Sequence, residues 1–155
     1  MNKNKINKGF TLIEILIVIG IIAILAAIVI VAINPAKQFA QARNTQREAG
    51  LNTILNAVGQ NIADFRGVFT CASDTLPIPT ASSSVTNGGG VAAGVKDLSC
   101  LQPTYIPAFP TDPTAASGVD TGYDISVTGI GRVLVCAPAG AETAIPGSGA
   151  ICVKR

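Results

Sequence analysis

The sequence predicts an α+β chain: a long N-terminal helix, its first half crossing a membrane and kinked near Pro35, whose second half packs on a small antiparallel β-sheet head. Three observations predict it. Phe10 to Ile33 is an apolar run whose only polar side chains are Thr11 and Glu14. Leu51, Ile54, Leu55, Val58, Ile62 and Phe65 then recur at helical spacing on one stripe. The last quarter carries three short stretches rich in β-branched residues, separated by turn residues.

The apolar run is the first element. As a helix it is about 36 Å long at ~1.5 Å per residue, enough to cross a bilayer with some tilt. Lys3, Lys5 and Lys8 precede it and no acid does. The positive-inside tendency therefore keeps the N-terminus in the cytoplasm and sends Asn34 onward outside. Without those three lysines the formal charge of +2 becomes −1 for residues 10–155, which excludes a strongly basic nucleic-acid surface as the main function. Glu14 is the anomaly. A carboxylate in hydrocarbon costs roughly 3 kcal/mol even on a lenient scale, so it needs a partner or must snorkel to the headgroups.

Pro35 lacks an amide hydrogen and crowds the preceding turn, so a helix passing through it kinks. The apolar stripe then faces the head core, and Arg43, Arg47, Asn52, Asn56 and Asp64 are candidates for the solvated face or for contacts with other chains. Gly67 is placed to stop the helix. The segment from Ala72 to Val95, rich in Ser, Thr, Gly, Pro and Ala, reads as a long surface loop. "KDLSC", 96–100, reads as a short helical turn, and the four prolines of 103–113 bar a central strand there. "YDISVT" (123–128), "RVLVCA" (132–137) and "AICVK" (150–154) read as a three-stranded antiparallel sheet.

Cys71, Cys100, Cys136 and Cys152 all follow the apolar run, in a compartment that permits disulfides. Four cysteines allow three pairings, and spacing alone does not choose. If the last two strands pair antiparallel, Cys136 and Cys152 lie opposite one another, and Cys71 takes Cys100. There is no C-x-x-C spacing and no histidine, so a zinc or redox site has no ligand set.

"KGFTLIE", Lys8 to Glu14, followed by the apolar helix, resembles the class III signal of type IV pilins and of the pseudopilins of type II secretion. The resemblance covers residues 3 to about 66, with a weaker likeness in "FPTDP" and the terminal sheet. It implies the pilin fold and a division into a leader (1–9), a transmembrane and assembly helix (10–33), an amphipathic second half (34–66) and an extracytoplasmic head (67–155). It implies cleavage after Gly9 by a prepilin peptidase that also N-methylates Phe10, and polymerisation with other copies of the chain on an assembly platform. In that arrangement Glu14 neutralises the Phe10 amine of a neighbour and sets the register. Pro35 is then either a passive break or a segment that unwinds on polymerisation; where related subunits carry a proline nearer the N-terminus, this chain has Gly20. Calcium-stabilised pseudopilin heads use carboxylates in a loop like that of Asp112, Asp120 and Asp124. The spacing here fits no closed calcium motif, so these are expected to be turn or solvated acids.

The expected function is thus a pilus filament subunit, first a single-pass membrane protein and then extracellular. The alternatives are a pseudopilin of a secretion or DNA-uptake apparatus and, of another class, an exported binding domain cut after Ala42 in "FAQA". The last suits an export core of roughly 7–15 residues poorly, because the run here is longer. An enzyme is the weakest expectation: there is no His, no GxSxG and no phosphate-binding loop, and no cofactor is implied.

Overall fold

The computed structural model describes residues 9–74, 77–89 and 92–155. Lys3, Lys5 and Lys8 lie outside the described residues. The chain divides into two compact units, 1–38 and 39–155.

In the first unit, helix α1 runs Leu12–Ala32 and has no buried residue. It is apolar on every side, a pattern that water does not tolerate and that only lipid or other apolar protein surface satisfies. The helix ends at Ile33, whose backbone is extended. The expected break near Pro35 is present, as an interruption at residues 33–34 and not as a bend through a continuous helix. Pro35 opens a second helix, α2 (Pro35–Asp64), as its first residue, where a missing N–H costs nothing. Asn34 caps that start, its Oδ1 accepting from the Lys37 amide at 3.2 Å.

In the second unit, five strands form a mixed sheet in the order β2-β1-β3-β4-β5: β1 Ser83–Thr86, β2 Val95–Asp97, β3 Asp120–Val127, β4 Val133–Ala137 and β5 Ile151–Lys154. The α+β class holds, but the sheet is neither three-stranded nor wholly antiparallel, because β1 and β2 pair in parallel. Both come from the stretch read as a surface loop and a helical turn; only Ser99–Leu101 forms a short helical turn there. Strand β1 is interior to the sheet and Val85 is fully buried, although "SSVT" lies in a Ser-, Gly- and Ala-rich stretch that lacks the β-branched, turn-bounded pattern of the last three strands. In β3, Thr121, Tyr123 and Ile125 are buried and their neighbours half-buried, the period of two expected of a sheet with one face covered.

The core joins that face to Leu51, Ile54, Leu55 and Val58 of α2. Ile62 is partly buried, but Phe65 is 47% exposed, because α2 has ended at Asp64 and the stripe no longer continues. Gly67, with φ +95°, turns the chain back, its amide donating to the Ile62 carbonyl at 2.8 Å.

Both disulfides bind this unit. Cys71 joins Cys100, and Cys136 joins Cys152. The second pair are cross-strand partners on β4 and β5. Val133 and Arg155 exchange both backbone hydrogen bonds, so by alternation Cys136 and Cys152 occupy a non-hydrogen-bonded pair, where Cα atoms approach closest; theirs are 4.1 Å apart.

Arg47 is not on the solvated face. Its side chain is fully buried, and all five N–H groups find acceptors. Nε donates to Asp112 Oδ2 at 2.7 Å, Nη2 to Asp112 Oδ1 and Thr114 Oγ1, and Nη1 to Asn44 Oδ1 and Glu142 Oε1. Arg43 takes Glu142 in a two-point grip at 2.7 and 2.6 Å. Asp112 Oδ1 also accepts the amides of Thr114 and Ala115, each at 2.8 Å. A glycine seats this loop. At Gly122, φ +76° on an irregular stretch of β3, a Cβ would fall 2.8 Å from the Asp112 Cβ. A second buried pair, Lys96 Nζ and Asp74 Oδ2 at 3.1 Å, lies beside the Phe69 ring.

The network predicts acid sensitivity. Hydrogen bonds from Arg43 and then Arg47 hold the Glu142 carboxyl at about 2, below its ordinary 4.5. Burial pushes Asp112 upward, but Arg47 and the Thr114 and Ala115 donors outweigh it and hold the carboxyl below its usual range. The folded unit therefore binds fewer protons than the unfolded chain across this window. Its melting temperature should be level above the ordinary carboxylate range and fall as pH drops from 4.5 towards about 2; a pH–melting series checks this.

Gly50 and Tyr123 make a second prediction. A Cβ on Gly50 would lie 2.8 Å from the Tyr123 hydroxyl and 3.3 Å from Cζ. That hydroxyl is buried without a hydrogen-bond partner among the described residues. Tyr123→Phe should therefore stabilise by about 1 kcal/mol, by removing an unsatisfied polar group. Gly50→Ala should destabilise by about 1–3 kcal/mol despite its better helix propensity, because overpacking wins. In the double variant the Gly50→Ala loss should shrink, and a double-mutant melting cycle reads that coupling.

Candidate assembly site

The chain from Gly9 to Thr11 is not helical, and Phe10 is 82% exposed. Nothing among the described residues would lie within 4 Å of a Cβ on Gly9. The Gly9–Phe10 peptide bond thus sits in open, non-helical backbone just ahead of a helix, the form in which a protease can take a bond into its site.

What stops the helix short of that bond is Thr11. It is the N-cap of α1: its Oγ1 accepts from the Glu14 amide at 3.3 Å, while Glu14 Oε2 accepts from the Thr11 amide and hydroxyl, each at 3.2 Å. This is a capping box, which satisfies two donors that a helix N-terminus otherwise leaves orphaned. The carboxylate also faces the positive end of the helix dipole. Glu14 therefore has a structural task within its own chain, and only Oε2 is engaged in it. Oε1 accepts no hydrogen bond among the described residues. Glu14 lies four residues beyond Phe10, ~6 Å along a helix axis at about 1.5 Å per residue.

A family model described as "Prokaryotic N-terminal methylation motif" matches residues 4–30. The chain carries a prepilin-type methylation signal. The match begins at residue 4, spans the Gly9–Phe10 junction and most of α1, and stops short of the head. The chain matches no curated protein and no solved structure. The signal and the apolar α1 fit a pilin-like or pseudopilin-like prepilin, and the α+β head with its two disulfides is compatible with that build.

The remaining candidates are dispersed. Pro35 opens α2. Asp112 is committed to Arg47; Asp120 accepts from the Gly122 amide at 2.9 Å and Asp124 from Ser82 at 3.1 Å. No cluster of three or more His, Cys, Asp or Glu placed to hold a metal occurs among the described residues. The T-x-x-E signature of the capping box stands in the sequence at Thr11–Glu14, a legible signal for a partner of Glu14 that the expectation of a partner in another chain leaves unused. The Arg47 network has no such signal, since its carboxylate partners are 65 and 95 residues away.

Proposed function

We propose that this chain is the structural subunit of a type IV pilus filament, with no catalytic task of its own. In this reading residues 1–9 are a cytoplasmic leader, removed after Gly9 by the prepilin peptidase, which also methylates the new Phe10 amine. Residues 10–33 hold the subunit in the membrane until an assembly platform adds it to the polymer. Residues 34–66 and 67–155 become its extracytoplasmic part.

One observation carries the reading: α1 is apolar on all sides, has no residue buried within its own chain, and bears a single carboxylate at its start, within the methylation motif. Lipid satisfies such a helix before assembly and the helices of other copies satisfy it afterwards. Glu14 then acts twice. Oε2 keeps the cap on its own helix, and the free Oε1 receives the Phe10 amine of a neighbouring copy. Two opposite charges in an apolar environment cost far more apart than together, so axial registers that separate them are rejected.

Electron microscopy with an antibody to the head tests the reading. Long fibres at the cell surface are expected. Fibres confined to the envelope would instead favour the pseudopilin of a secretion or DNA-uptake apparatus, and no fibres at all would overturn assembly as the function.

A further inference from the structure

The head has two ends that differ in charge and shape. At the C-terminal end of α2 an apolar cavity of about 250 Å³ opens between Ile62, Val68, Ile78, Val127 and Val133. Apolar side chains crowd this end: Val68 is 62% and Ile130 80% exposed, with Phe65 nearby in sequence. Arg66 and Arg132 flank the lining residues Gly67, Gly131 and Val133. Both are exposed, and neither guanidinium has a hydrogen-bond or ion-pair partner among the described residues. Arg66 also holds φ +57°, a left-handed conformation that disfavours any side chain. A strained arginine beside an apolar hollow is the kind of outlier that points to a function.

The opposite end carries the complement. Strand β3 runs from Asp120 to Val127, so its first residue stands about 23 Å, at ~3.3 Å per residue, from the cavity wall at its last. Just before it Val119 is 51% exposed and is followed directly by Asp120. Asp120 spends Oδ1 on the Gly122 amide, and Oδ2 takes no hydrogen bond among the described residues.

We infer that the arginine-flanked cavity of one head receives the Val119–Asp120 corner of a second copy, Val119 entering the apolar hollow and Asp120 facing Arg66 and Arg132. The cavity is smaller than the range of about 300–1,000 Å³ usual for small-molecule sites, which suits a single projecting side chain better than a free ligand. Donor and acceptor lie on different ends of the same head, so the contact is heterologous: each copy uses both, and the series has no built-in stop. This contact rests on the filament reading above and extends it from α1 to the head.

The test uses the full chain in assembled fibres. A benzophenone amino acid replacing Ile130, on the rim and not in the cavity, should yield a crosslinked dimer with its adduct mapped to residues 115–121 of the second copy. Val119→Arg, which sets a third cation against two, should lower fibre yield roughly tenfold, as like charges across an interface do. The double variant Arg66→Glu with Arg132→Glu should lower it comparably, and combining all three changes should restore it. These positions are exposed, and intact disulfides with an unchanged near-UV spectrum show that each variant folds. Normal yield from Val119→Arg, no restoration in the triple variant, or adducts on another segment, another protein or lipid would overturn the contact while leaving the filament in place. Failure of the unaltered chain to form fibres would overturn the filament reading, and this contact with it.

Discussion

Replacing Arg47 by Ala should lower the stability of the head by about 3–5 kcal/mol, because it leaves Asp112 buried and ionised without its cation. For a unit of this size that is a fall of roughly 15 °C in melting temperature, a large share of the ~5–15 kcal/mol that holds most domains folded. Glu142 keeps Arg43 and is less affected. The loss comes from the stranded carboxylate more than from the missing arginine. Arg47→Met combined with Asp112→Asn should therefore recover about half of what Arg47→Met alone loses, since an asparagine in place of Asp112 still accepts the Thr114 and Ala115 amides. Both tyrosines, Tyr105 and Tyr123, lie in the head, so near-UV circular dichroism of the full chain in detergent follows this unit selectively. Simple addition of the two losses would contradict the account.

Glu14→Gln should leave α1 capped and the chain inserted and cleaved, yet cut fibre yield by roughly two orders of magnitude. A glutamine at this position still closes a capping box with Thr11, so the helix start survives. What it cannot supply is the charge for a neighbour's amine, and an uncompensated buried charge costs about 3 kcal/mol for each subunit joined. Glu14→Ala removes both tasks and should do no better. The pair of variants separates the roles: if Glu14→Gln assembles normally while Glu14→Ala does not, capping is the whole of what Glu14 does. Quantifying sheared fibres against the membrane-inserted pool reads the outcome.

Local features are legible in the sequence and distant ones are hidden. The apolar run, the stripe from Leu51 to Val58 and the β-branched stretch of β3 are signals contained within one element, and each forms the helix or strand it predicts. The opposition of Cys136 and Cys152 follows from strand pairing and is present. Arg47 reads as a solvent residue because an arginine beside polar neighbours looks solvated, and nothing near it in sequence reveals Asp112 or Glu142. Strand β1 is hidden for a different reason. "SSVT" is held by Ile125, Asp124 and Asp120 on one side and by β2 on the other, so its strandedness is conferred by partners and not by its own propensity. Glu14 is the reverse case. Its capping partner lies three residues away in plain view, yet a carboxylate in an apolar run directs attention across the lipid and past Thr11.

Filament assembly as described here requires that a leader be cut from the chain at Gly9, so that Phe10 presents a charged amine to Glu14 of another copy. The intact mass of the chain recovered from purified fibres tests this most directly. It should correspond to residues 10–155 bearing one methyl group and lacking four hydrogens for two disulfides. A mass that retains the leader, or one that begins at Arg43, would contradict it.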